Sequence, residues 1–304
     1  MRQHWKLLRY SFAGLLFVLI GVTLYVRWKS LAEYNWELNY PWLVLSLLLA
    51  SWGPLSLAVW WVTSIRLMKG SLGWAQGTHI WVYAQLAKYL PGGIWPYASR
   101  MLAADKAGVS RSCAALSLVV ETVLRVQAAI IVFLVSLPFW PMNRWSPGQL
   151  TLIAIALLAS LALLDPRLLN KVLDLGLRVL RRPVVSITSL EYRHLVGLLA
   201  GHILTLVGVG SAFYALVNSV YAMSASAALP LTGMLAIAVI LGFLNPLTPQ
   251  GLGTREGLLT LFLSYYMPLP VAIVIALLTR LWMIVAELIG VLLVALLLRV
   301  ESSR

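Results

Sequence analysis

Two stretches of this sequence place cations, prolines and glycines between apolar segments. The first runs from Lys88 to Arg100 and the second from Asn245 to Gly257. A helix breaks at Pro91-Gly92-Gly93, because proline lacks the backbone N–H and glycine adds backbone freedom. A helix that begins after such a break points its N–H groups and its positive dipole end at the break, which favours an anion. We therefore expect new helix N-termini at Ile94 and Thr254.

The cations beside these two breaks are candidates for binding a lipid phosphate. Paired interrupted segments in the two halves of a membrane protein are typical of a transport site. The alternative is a pair of tight cytoplasmic turns between ordinary helices, and the spacing alone fits both. The candidate phosphate-binding residues are Lys88, Arg100 and Arg255. The residues expected to break the helices are Pro91, Gly92, Gly93, Pro249, Gly251 and Gly253.

Further charges lie within or beside apolar segments and are candidates for an intramembrane polar path. Each charge at the bilayer centre costs about 2.5–3.5 kcal/mol on insertion scales, so these side chains are not expected to face lipid. One interpretation is two buried ion pairs, Glu121 with Arg125 and Arg280 with Glu287, that fix the helix register. The other is a polar cavity along which headgroups or protons move. The candidate path residues are Glu121, Arg125, Glu256, Arg280 and Glu287.

The composition is that of an integral membrane protein. Hydrophobic residues make up 61% of the 304 and charged residues only 11%, whereas soluble domains carry about 25% charged residues. We expect a single membrane domain over residues 1–304. The net charge of +13 has no basic soluble module to hold it, so no nucleic-acid partner is expected. Cytoplasmic loops and anionic lipid headgroups account for such an excess.

The apolar segments predict an all-α bundle of about eight membrane helices with two broken or re-entrant segments. An apolar run from Ser11 to Val26 is interpreted as an uncleaved first crossing, with a signal peptide as the alternative. Pro54 predicts a kink within the next crossing. Leu258 to Met267 is too short to span alone, unless its helix begins at Thr254 and the bilayer is thinned. Residues 165–194 are expected to form a basic cytoplasmic loop with an amphipathic helix.

The distribution of charge predicts the orientation in the membrane. Most of the 23 Lys and Arg residues fall in segments that are cytoplasmic when the N-terminus is cytoplasmic. The positive-inside rule therefore favours a multi-pass protein of the inner membrane with both termini in the cytoplasm. In this arrangement both broken stretches lie on the cytoplasmic side.

Other chemistry finds little support in the sequence. Gly251-Leu252-Gly253 lacks the strand, spacing and acidic partner of a dinucleotide site. The four histidines are not at metal-ligand spacing, and His79 and His202 are expected to be hydrogen-bonded core or interfacial residues. We therefore predict no metal, no cofactor and no identifiable catalytic residue. The only cysteine, Cys113, excludes an internal disulfide.

The two broken stretches resemble the signatures of a known family. Lys88-Tyr-Leu-Pro-Gly-Gly-Ile-Trp95 followed by Arg100, and Pro249-Gln-Gly-Leu-Gly-Thr-Arg-Glu-Gly257, are similar to those of the lysylphosphatidylglycerol synthase transmembrane-region family. The resemblance implies a bundle of about eight helices with re-entrant pieces and a flippase-like activity. Bifunctional members of that family add a cytoplasmic aminoacyl transferase. Because this chain ends at Arg304, directly after the last predicted crossing, it is not expected to synthesise the aminoacylated lipid.

Three hypotheses follow for the function. The first is a transporter of a phosphate-bearing lipid, either a phospholipid or a polyprenyl-phosphate-linked sugar, and so not an enzyme. The second is a membrane enzyme, of glycosyl or acyl transferase type, that uses Glu121 or Glu256 as a general base. The third is a non-catalytic subunit that recruits an envelope-biogenesis enzyme through residues 165–194.

Overall fold

The computed structural model describes residues 36–89, 94–141, 145–162, 164–165, 190–245 and 251–302. Within these ranges the chain is helical and contains no strand, which confirms the all-α prediction. The predicted first crossing and most of the basic 165–194 segment lie outside the described residues. So do four of the predicted helix-breaking residues: Pro91, Gly92, Gly93 and Pro249.

Ten α-helices lie in the described part of the chain. They are α1 (Tyr40–Ala50), α2 (Trp52–Leu67), α3 (Trp74–Leu86), α4 (Trp95–Lys106), α5 (Arg111–Ser136), α6 (Pro147–Ala162), α7 (Tyr192–Val220), α8 (Ala228–Leu244), α9 (Thr254–Leu263) and α10 (Leu269–Ser302). Short 3₁₀ turns extend α3 over Ala87–Tyr89 and α5 over Leu137–Phe139, and another, Ala225–Ala227, precedes α8.

Five of these segments are long and apolar enough to cross a membrane. They are α1 together with α2, α5, α7, α8 with its preceding 3₁₀ turn, and α10. The ten residues of α9 rise only about 15 Å, half of a hydrocarbon core about 30 Å thick. The helix begins at Thr254, as the sequence predicts, and its length is too short to cross the bilayer.

Pro54 disrupts the first described crossing. A proline ring clashes with the carbonyl four residues earlier, here that of Ala50, and provides no N–H to it. The helix accordingly ends at Ala50 and begins again at Trp52, with Ser51 between the two pieces. The predicted kink is confirmed as a break at Ser51.

Side-chain and backbone contacts give the direction of the long helices. The backbone N–H of Asn39, before α1, donates to the carbonyl of Ser219, near the end of α7, at 2.8 Å. The ring of Trp60 in α2 occupies the space that a Cβ would need at Gly201, near the start of α7. Helix α7 therefore runs antiparallel to α1 and α2.

Helix α10 runs parallel to α1 and α2. The indole N–H of Trp282 donates to the hydroxyl of Ser46 at 3.1 Å. Eight residues further along each helix, Gly290 lies against Pro54. Residue numbers thus increase in the same direction along α10 and along α1 with α2, so the two segments begin at the same end of the bundle.

Helices α3 and α4 form a hairpin that begins and ends where α2 ends. The guanidinium of Arg66, in the last turn of α2, lies 5.0 Å from the ring of Trp74 at the start of α3. At the end of α4, Asp105 pairs with Arg111 of α5 at 2.9 Å. The end of α3 and the start of α4, which flank the break, therefore lie away from the end where α2 finishes.

Helices α8 and α9 form a second hairpin that enters from the opposite end. Gly233, near the start of α8, lies against the hydroxyl of Ser136 in the last residue of α5. Near the end of α9, the ring of Phe262 lies 5.1 Å from the ring of Trp140, just after α5. The helices that flank the second break therefore start from the end opposite to that of the first hairpin. The prediction that both broken stretches lie on the cytoplasmic side stays a prediction.

These packing directions can be tested by cysteine labelling in a Cys113→Ser background. Ser71 and Ser110 flank the first hairpin, and Ser224 and Ser264 flank the second. We expect single cysteines at the first two positions to react with a membrane-impermeant thiol reagent from one side of the membrane. Cysteines at the last two positions should react from the other side, because each hairpin returns to the end where it started.

Labelling of intact cells and of inverted vesicles distinguishes the two sides. Reaction of the Ser224→Cys and Ser264→Cys variants from different sides would mean that α8 and α9 together cross the membrane, and would contradict the re-entrant arrangement.

Candidate functional site

A cavity of about 330 Å³ lies in the interior of the bundle. Its wall includes Gly53 and Pro54 of α2, Arg125 of α5, and Ala286 and Glu287 of α10. Each of these residues lies near the middle of a membrane-length segment, so the cavity is at mid-depth of the bundle rather than at either end.

Residues on the helices that flank the two breaks line this cavity. Lys88 and Arg100 of the first hairpin and Arg255 of the second all line it. The new helices begin where the sequence predicts, with Ile94 capping α4 and Thr254 opening α9. The fold thus brings together the three cations chosen from the sequence as phosphate ligands. Their binding of a phosphate stays a prediction.

Arg100 is held in place by a carboxylate and by aromatic rings. Its side chain is 1% exposed, and its Nη1 donates to Oε2 of Glu121 at 2.5 Å. Its guanidinium carbon lies 5.3–5.6 Å from the ring centres of Trp61, Trp81 and Tyr97. A buried guanidinium is stable only when its charge is compensated, and here an anion and three ring faces compensate it.

Glu121 of α5 contacts both Arg100 of α4 and Arg125 of α5. Its Oε1 accepts from the indole N–H of Trp81 at 3.2 Å and lies 3.7 Å from Nη1 of Arg125. The predicted pair of Glu121 with Arg125 therefore forms, although the closer partner is Arg100 from α4. The Arg125 side chain keeps 33% of its surface exposed and lines the cavity.

The charges of α10 pair with the two hairpins and not with each other. Nη1 of Arg280 donates to Oε1 of Glu256 at 2.8 Å, and Glu287 pairs with Nζ of Lys88. The predicted pair of Arg280 with Glu287 is wrong. Seven residues separate Arg280 and Glu287 along about 10.5 Å of helix axis. Each of them therefore lies at a different depth, and each pairs with the charge of the hairpin that reaches that depth.

The second break depends on two glycines with positive φ. Gly253 has a φ of +80°, and its backbone N–H donates to Oε2 of Glu256 at 2.7 Å. Gly251 has a φ of +69° and packs against the backbone of Gly242 in α8. Glu256 therefore closes the N-terminus of α9 with one oxygen and binds Arg280 with the other.

Arg255 differs from the other cations of the cavity. Its Nε and Nη2 are buried and have no hydrogen-bond partner. No carboxylate of the described residues lies within ion-pair distance of it, whereas Lys88, Arg100 and Arg125 each contact one. The guanidinium therefore has donors available to an anion in the cavity.

His202 of α7 also lines the cavity, and the sequence did not indicate this. It was expected to be a hydrogen-bonded core residue, and its Nδ1 is indeed 2.8 Å from the carbonyl of Leu198. The side chain is 2% exposed, and its Nε2 has no partner. The only sequence signal is a histidine within an apolar helix, and that pattern does not reveal which face meets the cavity. Among the described residues, no group of three or more His, Cys, Asp or Glu could hold a metal ion.

Comparison with known proteins gives one family. The family model described as the lysylphosphatidylglycerol synthase TM region matches residues 11–297, almost the whole chain. No curated protein matches the chain. Together with the membrane-length helices of the described residues, the family match identifies a multi-pass membrane protein.

The geometry of the second break predicts a sharp difference between two alanine substitutions. A Cβ at Gly251 would lie 2.6 Å from the Cα of Gly242, in a left-handed backbone conformation. Gly251→Ala should therefore lower the unfolding temperature in detergent micelles, because neither backbone can move aside cheaply. Gly257→Ala is the matched control, since its Cβ meets open space and alanine favours the helix by up to about 1 kcal/mol. Equal unfolding temperatures for the two variants would contradict this account of the break.

The buried ion pair predicts a second difference in stability. Glu121→Gln leaves Arg100 buried without its anion, and we expect the free energy of unfolding to fall by roughly 3–5 kcal/mol. Asp105→Asn removes a carboxylate from a pair whose arginine is 78% exposed, and should cost less than about 1 kcal/mol. Denaturation in micelles measures both. A loss for Glu121→Gln no larger than that for Asp105→Asn would mean that Glu121 does not compensate the buried charge.

Proposed function

The chain belongs to the lysylphosphatidylglycerol synthase transmembrane-region family, and on that premise we propose that it carries the headgroup of a phosphate-bearing lipid across the bilayer. The cavity between the two hairpins is the binding site for that headgroup. Lys88, Arg100 and Arg255 attract the phosphate, and the charges on α5 and α10 line the path or hold its walls in place.

The observation that carries this proposal is the buried guanidinium of Arg255. A buried charge without a partner is costly, and it is normally paired or neutralised. Arginine cannot be neutralised by losing its proton in a protein. Its donors therefore favour an anion from outside the chain, and the anion most available to a membrane interior is a lipid phosphate. A phosphate also presents the oxygens that the planar guanidinium binds best.

The size of the cavity supports entry of a headgroup without its acyl chains. A volume of about 330 Å³ lies at the lower end of the roughly 300–1,000 Å³ of small-molecule sites. A phosphate with a small polar substituent fits this space, whereas two acyl chains do not. The chains therefore stay in the bilayer while the headgroup passes through the protein.

The two hairpins provide access from each side. One enters from the end where α2 finishes and the other from the end where α5 finishes, and both reach the cavity. Movement of one hairpin at a time would open the cavity to one side while the other side stays closed. The ion pairs of Glu287 with Lys88 and of Arg280 with Glu256 are the contacts that such movements change.

The same proposal includes the location and orientation of the protein. Described cations outside the bundle interior gather at the end where α2 finishes: Arg66, Lys69, Lys106, Arg111 and Arg193. We infer that this end faces the cytoplasm, that both termini lie there, and that the membrane is the inner membrane.

The enzyme hypothesis receives less support from the geometry. Both candidate bases already accept hydrogen bonds from cations, Glu121 from Arg100 and Glu256 from Arg280. A carboxylate engaged in this way is a poor acceptor for a substrate proton. Recruitment of an envelope-biogenesis enzyme through residues 165–194 stays a prediction, because most of that segment lies outside the described residues.

Replacement of Arg255 tests the proposal. Purified protein in liposomes should move fluorescent anionic phospholipids or polyprenyl phosphates between leaflets, and the rate is followed by quenching from outside. Arg255→Met keeps the length of the side chain and removes its charge, and we expect the rate to fall at least tenfold, because charge-assisted hydrogen bonds are among the strongest the cavity can offer.

Arg111→Met is the matched control, since it removes the same charge from the surface of the bundle. Its rate should equal that of the wild type. A wild-type rate for Arg255→Met, or no movement of either class of lipid by folded wild-type protein, would refute the proposed function.

A further inference from the structure

Four buried side-chain nitrogens of residues that line the cavity have no hydrogen-bond partner. They are Nε of Arg100, Nε2 of His202, and Nε and Nη2 of Arg255. Buried polar atoms are nearly always paired in native proteins, so unpaired ones on a cavity wall indicate a bound group. The three guanidinium nitrogens are donors and suit phosphate oxygens. The histidine nitrogen has a different chemical character.

The hydrogen bond at the other ring nitrogen fixes that character. Nδ1 of His202 is 2.8 Å from the carbonyl oxygen of Leu198. A carbonyl oxygen only accepts, so Nδ1 carries the hydrogen and donates it. In the neutral imidazole, the usual form at neutral pH, Nε2 is then an acceptor with a free lone pair.

A phosphate cannot satisfy this acceptor. The oxygens of an ionised phosphodiester are themselves acceptors, so they offer no hydrogen to Nε2. The partner must carry an O–H or an N–H group. An ammonium group, as in an ethanolamine headgroup, is disfavoured because four cations, Lys88, Arg100, Arg125 and Arg255, line the same wall and only one carboxylate, Glu287, accompanies them. A neutral O–H group remains, from a water molecule in the cavity or from a hydroxyl group of the bound headgroup.

We propose that His202 is a specificity-determining residue that accepts a hydrogen bond from a hydroxyl group of the lipid headgroup. The cavity then selects anionic lipids whose phosphate carries a polyol, either glycerol or a sugar. The guanidinium donors bind the phosphate, and His202 binds a hydroxyl group of the polyol that is attached to the phosphate. This inference rests on the proposed function for the phosphate, and adds the chemical class of the group attached to it.

Matched pairs of lipids that differ in their hydroxyl groups test the inference. The first pair is phosphatidylglycerol and phosphatidylpropanol, which have the same charge and nearly the same shape. The second is polyprenyl phosphoglucose and polyprenyl cyclohexyl phosphate, which keeps a six-membered ring and lacks the sugar hydroxyls. Binding of each lipid to the full chain in nanodiscs, followed by native mass spectrometry, gives the ratio of affinities within each pair.

We expect wild-type protein to favour the hydroxylated member of at least one pair by roughly tenfold, because a buried acceptor left without a partner is costly. The pair that shows the preference indicates whether the cavity selects a glycerol or a sugar headgroup. His202→Phe should bring that ratio close to one, and His202→Gln, which keeps an acceptor oxygen, should restore part of it. Arg111→Met should keep the wild-type ratio.

The outcomes separate this inference from the proposed function. No binding of any of the four lipids by folded wild-type protein would refute the proposed function itself. Equal affinities within both pairs would overturn the selection of hydroxyl groups while leaving phosphate binding intact. A preference that persists in His202→Phe would remove His202 from the role. The wild-type ratios decide the first two outcomes without any variant, so a folding defect in His202→Phe would not leave the inference untested.

Discussion

Two ion pairs on α10 hold the helix ends beside both breaks at the same cavity. Glu287 pairs with Lys88, just before the first break, and Arg280 pairs with Glu256 at the start of α9. Helices α3, α4 and α9 are each too short to cross the bilayer, so the length of an apolar segment does not set their depth. A buried pair gives little net stability, but removal of one partner is costly, which makes it suited to fixing position. A charge on α10 therefore fixes the position of a residue beside each break.

The cations that line the cavity differ in how far a carboxylate of the protein compensates their charge. Arg100 and Arg125 share Glu121, and three aromatic rings surround Arg100. The charge of Arg100 is largely compensated within the protein, so Arg100 attracts an anion less strongly than Arg255 does. Arg255 follows the glycine break directly, at the first turn of α9, where the backbone N–H of Gly253 is already satisfied by Glu256. The carboxylate that could have neutralised Arg255 is thus used by the helix terminus and by Arg280.

Local chemistry was predictable from the sequence, and tertiary pairing was not. The start of α9 at Thr254, the cap of α4 at Ile94 and the disruption by Pro54 follow from backbone properties of proline and glycine, which act within a few residues. The partner of Glu287 could not be deduced, because it lies 199 residues away on a hairpin whose packing direction no local pattern gives. Arg255 was predicted to bind a phosphate, but no local pattern indicated that its Nε and Nη2 are buried without a partner. The role of His202 was missed for the same reason: the face of α7 that meets the cavity depends on neighbours distant in sequence.

A transport site must release its ligand as well as bind it, and the arrangement of charges bears on this requirement. A site built from four uncompensated cations would hold a phosphate too tightly to let it leave. Here three of the four cations already contact a carboxylate. Under the proposed function, an entering phosphate would have to compete with Glu287 for Lys88 and with Glu121 for Arg125. The ion pair of Lys88 with Glu287 would then link ligand binding to the contact between the first hairpin and α10, because a ligand shifts a conformational equilibrium only by the contacts that differ between its states.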